Sequence, residues 1–283
     1  MKFGKSVRLF LIEGVADGRW MCELSNWTGK AYKIPRTFLR QSTDRPDINY
    51  TGIYFLLGKN DCSDNVVYIG EAENVYSRLL QHLNSDDEKE EYWTECVVFV
   101  SKDNNLNKAH VKYLENRMYV LVKDADRYEI INGNIPAKSS LSEADTAEME
   151  EFIENAKLLM SAMGHKLLEP ISGSKQTQVS IPKFHFELNN GEVSANGYPT
   201  SEGFVVLKGS KITPNNASSV TRGVINKKKE LYSEGVVDEN NVFTRDWLFS
   251  SASAAAVVVA GYSINGKIAW KTEKGKTLKE FEL

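Results

Sequence analysis

The chain has 283 residues, too many for one small core, so two domains or one domain with appendages is the default. Hydrophobic residues make up 41% and charged residues 26%, the proportions of a folded globular protein, and a formal charge of -3 excludes an overall basic signal for nucleic acid. The three cysteines, Cys22, Cys62 and Cys96, are odd in number, far apart and without CxxC spacing; this argues against a disulfide framework or a zinc site and for a reducing compartment.

Residues 6–24 alternate as a strand, a turn at Asp17-Gly18, and a second strand, which reads as a hairpin. Residues 1–46 carry nine Lys/Arg against four Asp/Glu, a basic stretch that would suit a polyanion, although solvated charge is its commoner meaning. A short helix-like run follows at 36–41. Residues 51–57 (TGIYFLL) and 66–70 (VVYIG) are two strands joined by a polar loop. Residues 74–84 read as a helix and 95–101 as a third strand. The loop 84–91 (NSDDEKEE) is acidic. Residues 107–125 carry apolar side chains at 111, 114, 118, 121 and 122, the spacing of a helix. A short strand is expected at 128–132.

Ser142, with Asp145 three residues on, opens a helix that Gly164 closes. The polar, proline-bounded stretch 169–182 reads as a linker. Beyond it a hairpin is expected around the turn Asn189-Asn190-Gly191, then a strand at 203–212. A helix ending in glycine follows at 218–235, with Lys227, Lys228 and Lys229 as a solvated face. A second helix is capped by Ser250 or Ser251 and closed by Gly261, and 266–283 should be a final hairpin. The apolar run 252–264 is shorter than the ~20 residues a membrane span needs, and the N-terminus lacks a cleavage site, so a cytoplasmic protein without membrane contact is expected. Trp27, Trp247 and Trp270 suit packing better than base stacking.

Five residues carry chemistry together. Tyr54 and Tyr68 lie at corresponding places on the two strands of one hairpin. Arg78 and His82 are four residues apart on the next helix, and Glu115 sits at the edge of the apolar stripe of the following one. Phosphodiester hydrolysis needs a deprotonated water, charge neutralisation on the phosphate and help for the leaving oxygen. Arg78 supplies a planar fork for phosphate oxygens. A tyrosine near positive charge moves toward phenolate, and His82 can orient it or share its proton. One carboxylate, Glu115, suggests one divalent cation.

The pair TGIYFLL and VVYIG, with Arg78, His82 and Glu115 following in order, resembles the GIY-YIG nuclease family over roughly residues 51–135. The resemblance implies an α+β fold: a small antiparallel three-stranded sheet flanked by helices. It implies DNA cleavage with one Mg or Mn ion, Tyr68 as general base, Tyr54 as its supporting partner, Arg78 and His82 in the site, and Glu115 as metal ligand. Asn132, or Asn134, would match a substrate-binding asparagine of the family. Thirteen residues separate the two tyrosines, a longer loop than is usual for the family. Residues 183–283 resemble a small domain of unknown function often attached to GIY-YIG domains. The expected organisation is a β-rich appendage (1–50), the nuclease-like domain (51–135), a bridging helix (136–168), a linker (169–182) and an α+β accessory domain (183–283). The expected partner is DNA, with RNA open, and the alternative is a nuclease-like module that binds DNA or protein without catalysis.

Overall fold

The computed structural model describes residues 4–85, 92–171, 181–188, 191–218 and 220–283. The chain divides into two compact units, Met1–Pro170 and Ile171–Leu283. The division falls within the stretch read as a linker; its residues 172–180, most of the acidic loop (86–91) and Asn189-Asn190 of the expected turn lie outside the described residues.

The N-terminal unit is built on one seven-stranded sheet. Its strands are β1 (Val7–Leu11), β2 (Trp20–Leu24), β3 (Gly29–Pro35), β4 (Gly52–Lys59), β5 (Asn65–Ala72), β6 (Trp93–Ser101) and β7 (Glu129–Ile130). Their spatial order is β1-β2-β3-β6-β4-β5-β7. The expected three-stranded antiparallel sheet is its β6-β4-β5 portion. The N-terminal β appendage adds three antiparallel strands to the β6 edge, and β7 pairs in parallel with the start of β5.

Strand β4 shows why the sheet is central. Its residues alternate between two faces, and both faces are buried. Ile53, Phe55 and Leu57 pack in one cluster with Val111, Leu114, Met118 and Val122 of helix α2 (Lys108–Ala125) and with Phe152, Ile153 and Leu159 of helix α3 (Glu143–Ala162). Tyr54 and Leu56 face the other cluster, with Val75 and Leu79 of helix α1 (Val75–Leu83) and with Leu39 and Ile48. The run Arg36–Asp44, read as helix-like, forms a 3-10 helix. The bridging helix α3 therefore belongs to the core of this unit.

Local chemistry sets the helix ends. The Asn74 side chain accepts the Ser77 N–H at 2.9 Å to start α1. Asn107 caps α2 by accepting from the Ala109 and His110 N–H groups. Ser142 caps α3 through the Asp145 N–H at 3.1 Å. Part of the basic charge of the N-terminal stretch is paired internally: Arg19 meets Glu13 and Asp44, Lys30 meets Asp47, and Lys33 meets Glu95.

The C-terminal unit carries a four-stranded antiparallel sheet of β8 (Phe184–Leu188), β9 (Val193–Thr200), β10 (Gly203–Val206) and β11 (Trp247–Phe249), in the order β11-β10-β9-β8. Helix α5 (Ala252–Ala260) packs on it through Ala255, Val258 and Val259, and helix α4 (Arg222–Ser233) packs against α5 with Leu231 in the same core. Ser251 caps α5 and Gly261, at φ 71°, closes it.

Two expectations are corrected here. Residues 266–283 form no hairpin: they make two short helices, Gly266–Ala269 and Leu278–Phe281, joined by a turn with an isolated bridge from Lys271 to Thr277. Asn265 caps the first and a Thr277–Glu280 capping box starts the second, while Trp270 between them is buried and donates to the Ala252 carbonyl at 2.9 Å. The lysine run is not uniformly solvated either. Lys228 is 3% exposed and its ammonium donates to the Thr213 carbonyl and Asn216; burial pulls its pKa down to about 8. Lys227 pairs with Glu230 and lies over the Trp247 ring. Among the described residues no helix is long and apolar enough to cross a membrane.

Candidate active site

Strand β7 pairs only with Val66 and Val67 of β5. Asn132 carries the pattern one step further: its side chain accepts the Ile69 N–H at 3.0 Å and donates to the Ile69 carbonyl at 2.7 Å. Past Ile69 that edge has no strand partner among the described residues, and α1 and α2 border it from opposite faces of the sheet. The predicted residues gather around this end of β5.

Tyr54 stands opposite Gly70 in the β4–β5 ladder, and Tyr68 stands opposite Leu56. The two tyrosines are thus diagonal neighbours on one face, with ring centroids 6.2 Å apart. Gly70 makes room for this. A Cβ there would lie 2.3 Å from the Tyr54 hydroxyl oxygen and 2.4 Å from its Cζ, so only glycine lets the buried phenol cross the neighbouring strand.

The Tyr54 hydroxyl is 2.9 Å from His82 Nε2, and the His82 ring lies 5.2 Å from that of Tyr68. Burial raises the Tyr54 pKa, the Tyr68 hydroxyl and the Glu115 carboxylate add to the rise, and Arg78 opposes it. The phenol of Tyr54 therefore stays protonated and shares a hydrogen bond with His82 Nε2, whose direction is set by the imidazole tautomer. Burial works against the Arg78 charge, but its contacts with the two tyrosine hydroxyls outweigh this and raise its pKa. Arg78 also donates to Gln81 at 2.7 Å.

Glu115 sits on α2, half-buried, beside the end of β5. Burial and the nearby Glu71 carboxylate push its pKa up to about 7, against the pull of Lys108, Lys112 and a hydrogen bond from the Glu71 main chain. Glu71 is itself held by the Lys108 ammonium at 2.9 Å. Neither Glu71 nor Lys108 stands out in the sequence as part of a site. Glu71 directly follows VVYIG, and that adjacency is the one signal that points to it.

The donor set suits a hard cation held by few protein ligands. Glu115 is a desolvated carboxyl facing a second carboxylate, a position that a divalent cation would relieve. The described residues contain no cluster of three or more His, Cys, Asp or Glu that could hold a metal ion.

The structure thus groups Tyr54, Tyr68, Arg78 and His82 tightly, with Glu115 electrostatically linked to Tyr54. It places Asn132 differently: both ends of its amide engage the Ile69 main chain, so its task there is to hold β5. Asn132→Ala is expected to destabilise the N-terminal unit by about 1–3 kcal/mol, because two main-chain groups lose their partner. Urea unfolding and amide exchange at Ile69 check this, and unchanged protection at Ile69 would remove the assignment. Asn134 is exposed.

Residues 184–282 match a family model described as a domain of unknown function, DUF4357. This agrees with the expectation of such a domain at the C-terminus. No curated protein and no solved structure matches the chain. The C-terminal unit has its own cavity of about 220 Å³, lined by residues that include Thr200, Phe204, Ser251 and Lys267.

Proposed function

We propose that the chain is a metal-dependent endonuclease of the GIY-YIG type, hydrolysing phosphodiester bonds in DNA, with its other parts selecting the substrate. The observation that carries this reading is the linkage of Tyr54 to Tyr68, Arg78, His82 and Glu115 around one open end of β5.

The two tyrosines divide the work by burial. Tyr54 is 1% exposed, stays protonated and fixes the His82 ring; Tyr68 is half-exposed beside Arg78 and is the one a water can reach. Tyr68 takes the proton from the attacking water. Arg78 holds non-bridging phosphate oxygens and neutralises the charge that builds as the new P–O bond forms and the sugar oxygen leaves. Glu115 would hold Mg²⁺ or Mn²⁺, which would supply Lewis-acid stabilisation of the leaving group. His82, through Tyr54, keeps the aromatic pair in place.

Incubation of supercoiled, branched and single-stranded DNA with Mg²⁺ tests the reading, with RNA run in parallel. Tyr68→Phe is expected to lower cleavage by roughly two to four orders of magnitude, the usual worth of a general base, with an unchanged unfolding midpoint. Cleavage by Tyr68→Phe at the wild-type rate would move the base elsewhere. Metal-dependent binding without cleavage of any of these substrates would favour a nuclease-like binding module.

A further inference from the structure

We propose that β1 is a dimerisation edge, pairing antiparallel with β1 of a second copy of this chain about a two-fold axis at Leu9. The β1–β2 hairpin concentrates exposed apolar side chains: Val7 is 42% exposed, Leu9 40%, Phe10 50% and Val15 55%. No described strand pairs with the outer side of β1, which ends the sheet. Open apolar edges are usually blunted by charge, proline or a bulge. Within β1 only Arg8 is charged, and it reaches back to Glu23 on β2.

The ladder parity fixes which groups face outward. Ile12 donates to the Arg19 carbonyl and Ser25 donates to the Ser6 carbonyl. Even-numbered residues therefore turn their main-chain groups to β2, and Val7, Leu9 and Leu11 present theirs at the open edge. A two-fold at Leu9 pairs Leu9 with Leu9 and Val7 with Leu11, all of them outward-facing, so the donors and acceptors match. The same register sets Arg8 across from Phe10 of the copy, where a guanidinium can lie on an aromatic face.

Shifting the axis by one residue, to Arg8, would oppose two arginines, which is disfavoured. The composition of the edge thus favours the Leu9 register over the Arg8 one. Val7, Leu9 and Leu11 of both chains would then form one apolar strip on the face that holds Cys22 and Leu24. Five residues per chain bury a small area, which places the pair among weak, transient interfaces.

Sedimentation velocity of the full chain from about 1 to 200 µM tests this. Wild type is expected to show a concentration-dependent dimer. Leu9→Asp and Leu9→Lys each place like charges across the axis and are expected to weaken it at least tenfold, while an equimolar mixture of the two variants restores it. Circular dichroism confirms that each variant is folded, as the exposure of Leu9 leads one to expect. In a Cys22→Ala, Cys62→Ser background, which removes the thiol directly opposite residue 9 in the same chain, Leu9→Cys is expected to cross-link to itself on mild oxidation, since directly opposed residues lie about 5.5 Å apart at Cα. A wild-type monomer at the highest concentration overturns the proposal. So does a dimer that ignores both charge variants, or a mixture that stays monomeric.

Discussion

Glu115→Gln is expected to abolish metal-dependent cleavage while making the metal-free protein more stable at pH 8. The first effect follows from the loss of the carboxylate proposed to hold the cation, and should amount to roughly two to three orders of magnitude or more in rate. The second follows from the environment of the carboxyl. Burial and Glu71 push its pKa up to about 7 in the folded chain, against an ordinary value of about 4.3. The folded state thus binds the proton more tightly than the unfolded one. Without metal, stability from this group is fully present below about pH 4.3 and is lost as pH rises toward 7. Glutamine removes the charge and with it the loss, which is worth about 1–2 kcal/mol above pH 7 after allowance for solvent screening at a half-buried group.

Thermal unfolding of both proteins across pH, with and without Mg²⁺, checks this. The two curves should converge near pH 4 and separate toward pH 8, and Mg²⁺ should stabilise wild type but not Glu115→Gln. Equal response of the two proteins to Mg²⁺ would take the metal away from Glu115. A parallel stability profile in the absence of metal would instead remove the desolvated carboxyl from the account.

Gly70→Ala is expected to damage the site and the fold together. The added methyl would sit 2.3 Å from the Tyr54 hydroxyl. Tyr54 is fully buried and its hydroxyl faces His82, so the ring has no open space into which to swing. Overpacking of this kind costs about 1–3 kcal/mol. Cleavage should fall further than stability does, because a displaced Tyr54 releases His82 and disturbs the Tyr68–Arg78 contact. A double variant, Gly70→Ala with Tyr54→Phe, is expected to regain part of the stability, since it removes the hydroxyl nearest to the new methyl, but none of the activity. Gly70→Ala with wild-type stability and rate would show that Tyr54 can shift freely, and would remove the steric reason for glycine at this position.

Much of the site was legible before any coordinates. The strands at 51–57 and 66–70 and the helices at 74–84 and 107–125 announced themselves by period and by capping residues. Those are local signals: side-chain direction repeats every two or nearly four residues, and a cap bonds N–H groups two or three positions away. The order Tyr54, Tyr68, Arg78, His82, Glu115 was visible for the same reason, as residue types on recognisable elements. The misread segments are those in which long-range packing overrides the local pattern. Residues 266–283 alternate well enough for a hairpin, but Trp270 has to be buried against Ala252 and the caps at Asn265 and Thr277 bend the chain into two short helices. Lys228 sits in a run of lysines, yet the helix face it occupies turns toward the Thr213–Asn216 loop, which satisfies its ammonium.

The amino-acid order by itself determined which side chains are available and on which elements they ride. The tertiary structure alone decided the rest: that Tyr54 and not Tyr68 is the buried phenol, that Asn132 clasps the Ile69 main chain, and that Glu71 crowds Glu115. Burial and the distance between charges arise only when remote segments pack together, and those two quantities set which groups keep their protons and which remain open to water.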